Sequence, residues 1–166
     1  MLYIRIFVFS LAFTSLLVYG HGDEKHDQQK SKSGEKQVNE YKVHYSHINE
    51  SYQKNVKPIF QKACYNCHSQ NVDYPWYYPI PGVQDLIDSD IEEAKKHLIF
   101  TGSYPFRGHG NPKSDLKAIK KVIQDGSMPP LRYQVMHWES FLNSEEKEKV
   151  YSWIESAESM LKEERE

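Results

Sequence analysis

Cys64 and Cys67 are the only cysteines in the chain, and they stand in one five-residue group, Cys64-Tyr65-Asn66-Cys67-His68. Two thiols separated by two residues lie one chain turn apart, the separation of neighbouring vinyl groups on a porphyrin. Each thiol can add across one vinyl to form a thioether, and the adjacent His68 is then directed at the iron as its proximal ligand. The pattern therefore predicts haem c, one per chain and covalently held.

Three other chemistries use similar residues. A redox-active dithiol carries Cys-x-x-Cys at the head of a helix after a strand, and no such strand–helix alternation is visible here. A zinc site needs a fourth ligand, and no Cys- or His-rich second half follows at finger spacing. A disulfide across two residues would suit an oxidising compartment but leaves His68 without a role.

A second axial ligand is then needed, with candidates Met128, Met136, His97, His109 and His137. Met128 stands out because Asp125-Gly126-Ser127-Met128-Pro129-Pro130 ends a helix with glycine and holds the following backbone extended with two prolines. A thioether on so constrained a loop can be pinned against iron without a helix beneath it, although the same methionine would also serve as a gap-filling apolar residue. His137 is the alternative distal ligand, its plainer role being a histidine bonded to backbone or to a haem propionate. His97 suits a helix C-terminus on dipole grounds alone, and His109 stands between two glycines. His44 and His47, and His21 and His26 in a polar tail, receive no role. Trp76 and Tyr77, in the run Tyr74-Pro75-Trp76-Tyr77-Tyr78-Pro79, are expected to pack on the haem edge and to bond a propionate, or else to form ordinary aromatic core. Arg107 is expected at the surface.

The elements that must position these residues read as helices. Pro58 suits a first helical position, with Ile59, Phe60 and Ala63 leading into Cys64. Ser89-Asp90-Ile91-Glu92 has the form of a capping box opening a helix through Ala94 and Leu98. Asn111-Pro112 and Ser114 open another, with Leu116, Ile119, Val122 and Ile123 on one stripe and Gly126 as its stop. Asn143-Ser144-Glu145-Glu146 opens the last, in which Val150, Trp153, Ile154, Ala157 and Leu161 recur at helical spacing. The expected fold class is all-α, a small cytochrome c-like helical domain with long loops around one haem.

The 166 residues suggest one domain plus tails, with 39% hydrophobic and 13% aromatic residues. A high aromatic share over a modest apolar one suits a chain whose porphyrin contributes part of the core. Net charge is −2 with both signs interspersed, which points away from nucleic acid. Residues 1–20 read as a secretory signal, with Arg5 ahead of an apolar run from Ile6 to Val18. That run is short for a span, which needs roughly 20 residues. Export to the periplasm is expected, with an uncleaved N-terminal anchor as the other reading and no membrane span in a cleaved chain. Residues 21–40 are polar and expected to form a disordered linker, leaving 41–166 as the folded domain.

Cys-Tyr-Asn-Cys-His-Ser, then Tyr-Pro-Trp-Tyr, then Gly-Ser-Met-Pro-Pro, then a histidine before an acidic helix containing Trp153, together resemble the bacterial haem-binding domain family over about Val56 to Glu158. The resemblance implies a small exported monohaem c-type cytochrome with haem on Cys64 and Cys67 and iron between His68 and Met128. The stretch from Glu92 to Phe100 lacks the glycine and asparagine associated with that segment, and the Gly102–Pro112 loop looks particular to this chain. No phosphate loop, nucleophile elbow or carboxylate pair is present. Single-electron transfer between redox partner proteins is therefore the expected activity. A peroxidase-like or gas-binding haem protein with a labile sixth ligand, and a haem-bearing sensor module, are the alternatives.

Overall fold

The computed structural model describes residues 42–108 and 110–163. The expected signal (1–20), the expected linker (21–40) and His109 lie outside the described residues. What is described is all-α, as expected: helices α1 (42–51), α2 (Lys57–Ala63), α3 (Tyr65–His68), α4 (Val83–His97), α5 (Pro112–Gln124), α6 (Leu131–Met136) and α7 (Ser144–Glu163). The strands are two residues each, β1 (Leu98–Ile99) and β2 (Arg107–Gly108), paired antiparallel. A side chain at Gly108 would meet the His97 carbonyl oxygen at 2.6 Å, so the close approach of the two strands requires glycine there.

Pro58 stands in the first turn of α2, but α2 is not the fresh start that the sequence suggests. The chain is already helical from residue 42, and a π turn, Tyr52–Val56, joins α1 to α2. In an unbroken α-helix the Pro58 ring would collide with the carbonyl of residue 54 and supply no N–H to it. The widened turn absorbs this, with the Lys57 N–H donating to the Tyr52 carbonyl one residue further back than usual. Ser89–Glu92 is a second correction. α4 starts two turns earlier, at Val83, after Gly82 reverses the chain at φ +82°. Ser89 is exposed mid-helix, and the Asp90 carboxylate is taken by Arg132 rather than by a helix end.

The other two starts are as expected. Asn111 accepts from the Ser114 N–H while the Ser114 hydroxyl accepts from the Asn111 N–H, and Pro112 follows at the first position. Asn143 and Glu146 form the same reciprocal pair ahead of α7. Gly126, at φ +70°, stops α5.

One face each of α1, α2, α5 and α7 closes the core around Tyr52, Phe60, Leu116 and Val150, all essentially without exposure. The aromatic rings of the β1–β2 hairpin join it: Phe100 lies 5.1 Å from Phe60 and 4.8 Å from Phe106. Trp153 of α7 packs on Tyr52 at 5.5 Å, and its indole N–H donates to the Ile48 carbonyl. A buried indole would otherwise forfeit a hydrogen bond. The short α3, carrying the cysteines and His68, hangs from the end of this core against α4.

Candidate functional site

Cys64, Cys67 and His68 share one helical turn. Both thiols are free and half-buried. Burial pushes the Cys64 thiol up to about 12, with Cys67 adding to it. Burial also raises Cys67, reinforced by the Asp90 carboxylate. Both thiols therefore resist ionisation more than an exposed cysteine does.

His68 is fixed from two directions. Its backbone carbonyl accepts from the Phe100 N–H at 2.7 Å, and its Nδ1 donates to the Leu98 carbonyl at 2.9 Å. A carbonyl can only accept, so the hydrogen is on Nδ1 and Nε2 keeps its lone pair. Burial lowers the His68 pKa further, favouring neutral imidazole. The ring meets the edge of Phe100 at 5.8 Å. An imidazole with its rear nitrogen tied to a backbone oxygen is oriented as a metal ligand needs.

The two intervening residues tie the motif in opposite directions. Tyr65 stacks on Phe100 at 5.3 Å and 3°, and its hydroxyl lies 2.9 Å from that of Tyr52, which anchors the motif to the core. The Asn66 amide donates to the Tyr133 hydroxyl at 3.0 Å, and its carbonyl accepts from the Asp73 N–H. Tyr133 stacks on His137 at 4.3 Å and 14°. His137 Nε2 lies 2.8 Å from the Tyr77 hydroxyl, and its Nδ1 lies 3.4 Å from the Glu139 carboxylate. Arg132, on the same short helix, grips Asp90 of α4 with two bonds of 2.6 and 3.0 Å.

Cys67, Tyr77 and His137 thus line one cleft, together with Asn66 and Tyr133. Trp76 stands beside Tyr77 at 5.6 Å and is 84% exposed, so it is not aromatic core. The Tyr77 hydroxyl, expected to bond a propionate, lies 2.8 Å from His137 Nε2. Met128 does not line that cleft and is 39% exposed on its loop. His97 is exposed and bonded to Glu93 at 3.1 Å, and Met136 and Arg107 are also exposed. Asn66, Tyr133, Gln134 and the Leu98 carbonyl were not legible as site residues. The signal for Tyr133 is its Tyr-x-x-x-His spacing with His137, which sets the two rings one turn apart.

These residues fit a haem on two grounds. The donor set is two free thiols and an imidazole whose Nδ1 is tied to a backbone oxygen. In addition, the exposed large apolar side chains among the described residues fall, Val43 apart, into the stretches 74–86 and 128–141, which the Tyr77–His137 bond joins. Folded chains seldom leave so many large apolar groups in water without something to cover them. A porphyrin face is such a cover.

Comparison with known proteins agrees. The family model described as the haem-binding domain matches residues 24–156. Cytochrome c peroxidase Ccp of Escherichia coli (strain K12) is 31% identical over 131 residues, which is 78% of this chain and 26% of that protein. The chain therefore spans about a quarter of the length of that relative. No solved structure matches. With the thiols, the oriented imidazole and this match over most of its length, the chain belongs to the haem-binding domain family and is a haem protein.

Proposed function

We propose that the chain is an exported monohaem c-type cytochrome that passes single electrons between redox partner proteins in the periplasm. The observation that carries this is His68, tied at Nδ1 to the Leu98 carbonyl beside two free thiols on the same turn. In attachment, each S–H adds across a vinyl double bond: the sulfur takes one carbon, the proton goes to the other, and no net oxidation occurs. His68 would hold the iron through Nε2, and Met128 through its thioether. When bound, the group supplies a one-electron iron couple. Ligation by an imidazole and a thioether would raise the reduction potential, which suits a carrier. The chain's own residues hold and orient it. Tyr65 fixes the motif to the core, Asn66 fixes it to α6, and the 74–86 and 128–141 stretches exclude water from its faces. Docking to partners at the exposed edge would be small in area and transient.

Absorption spectra of the oxidised and reduced protein, compared with Met128→Ala and His137→Ala, test the ligand set. The expected result is loss of the sulfur–iron(III) charge-transfer band in Met128→Ala only. A wild type without that band, whose spectrum changes in His137→Ala and not in Met128→Ala, assigns the distal position to His137.

A second reading, a peroxidase-like or gas-binding protein with a labile sixth ligand, is favoured by the likeness to a relative named a cytochrome c peroxidase. Ready binding of carbon monoxide by the reduced wild type would select it.

A further inference from the structure

Helix α6 is turned inside out. Leu131 and Val135 are each 71% exposed, whereas Gln134 between them is 8% exposed. Burying an amide costs free energy unless it is bonded, so a buried glutamine flanked by exposed leucine and valine needs a reason. The Gln134 Nε2 donates to the Pro129 carbonyl, the residue directly after Met128. The flanking residues are tied by the Ser127 N–H to Asp125 and by the Pro130 carbonyl to the Tyr133 and Gln134 N–H groups. The Gln134 amide takes the carbonyl between them. Pro129 and Pro130 carry no N–H, and the single donor of the three residues, the Met128 N–H, reaches back to the Val122 carbonyl at 3.3 Å. The helix that supplies Gln134 is in turn locked to the attachment motif by Asn66–Tyr133 and to α4 by Arg132–Asp90.

We propose that Gln134 is the positioning residue of the distal loop, holding the Met128 thioether at the iron through the Pro129 carbonyl. This rests on Met128 being the distal ligand. The chain from Asn66 through Tyr133 and α6 to Gln134 then carries the geometry of the proximal motif across to the opposite face.

The test uses the full haem-loaded chain with Gln134→Leu and Gln134→Glu. The first removes the donor at similar volume. The second keeps the shape but puts an acceptor against a carbonyl, and it serves if the leucine variant does not fold. Each is measured for the sulfur–iron(III) charge-transfer band, for imidazole affinity of the ferric form, and for thermal midpoint. Lys117→Ala, exposed on α5 outside the two apolar stretches, is the control. The expected result is a weakened band and imidazole binding about tenfold tighter, the size of one lost hydrogen bond, with Lys117→Ala like wild type. A lowered thermal midpoint with an unchanged band and affinity would make Gln134 merely structural and overturn the proposal. If Met128→Ala leaves the wild-type band unchanged, the ligand assignment fails and this inference falls with it. If Met128→Ala abolishes the band while both Gln134 variants keep it, the inference alone falls.

Discussion

At the scale of single residues, the site depends on side chains that settle which atom another residue offers. The Leu98 carbonyl decides the tautomer of His68 and so frees Nε2. Asn66 does the corresponding work on the other side, bonding Tyr133 and thereby placing the ring on which His137 stacks. Tyr133→Phe removes the acceptor for the Asn66 amide in a half-buried place. It is expected to cost about 1 kcal/mol, read as a fall of roughly 4 °C in thermal midpoint. Phe100 is the larger stake, because its ring touches Phe60, Tyr65, Phe106 and His68. Phe100→Ala is expected to cost about 3–5 kcal/mol and to loosen the hairpin carbonyl that orients His68. A denaturant melt checks both, and a Phe100→Ala variant as stable as wild type would contradict this account of the packing.

At the scale of elements, helix ends decide where the ligating loops begin. Gly126 sits at φ +70° with nothing within 4 Å of an added Cβ, so strain is all that a substitution would add. Gly126→Ala is expected to cost about 1 kcal/mol, seen in the melt without a change in core packing. Such ends were legible in the sequence where the signal is chemical and local: Asn111 with Ser114, Asn143 with Glu146, and Gly126 all sit where their side chains or lack of one require. Two were not. Ser89–Glu92 has the composition of a cap, but a partner 42 residues away claims Asp90, and Gly82 had already turned the chain. Pro58 reads as a start because a proline is tolerated there, and only the path of the preceding helix shows that a π turn absorbs it. The site divides similarly. Cys64, Cys67 and His68 are adjacent in sequence and need no fold to be found, whereas Gln134 is unremarkable in sequence and notable only because it is buried.

At the scale of the molecule, α7 closes the core, and the Lys62–Glu146 pair at 2.5 Å ties its first turn to α2. Burial alone would raise the Glu146 pKa, but the Lys62 ammonium and the Asn143 N–H outweigh it and hold the carboxyl below the ordinary 4.5. A carboxylate depressed on folding stabilises the fold above its unfolded pKa, and that contribution is lost as pH falls through the folded value. Thermal midpoint is therefore expected to drop below about pH 4.5, and Glu146→Gln is expected to flatten that part of the profile; identical acid profiles would contradict it. Among the described residues no helix is long and apolar enough to cross a membrane. If the protein is exported as proposed, the N-terminal residue of the purified mature chain will lie near position 21. The central claim, haem joined to the chain by Cys64 and Cys67, is tested most directly by mass spectrometry of the denatured, purified protein after extraction with acidified organic solvent. A chain heavier by the mass of one haem, reverting to its bare mass in the Cys64→Ala, Cys67→Ala double variant, is the predicted result. A bare chain with all the haem in the solvent would contradict it.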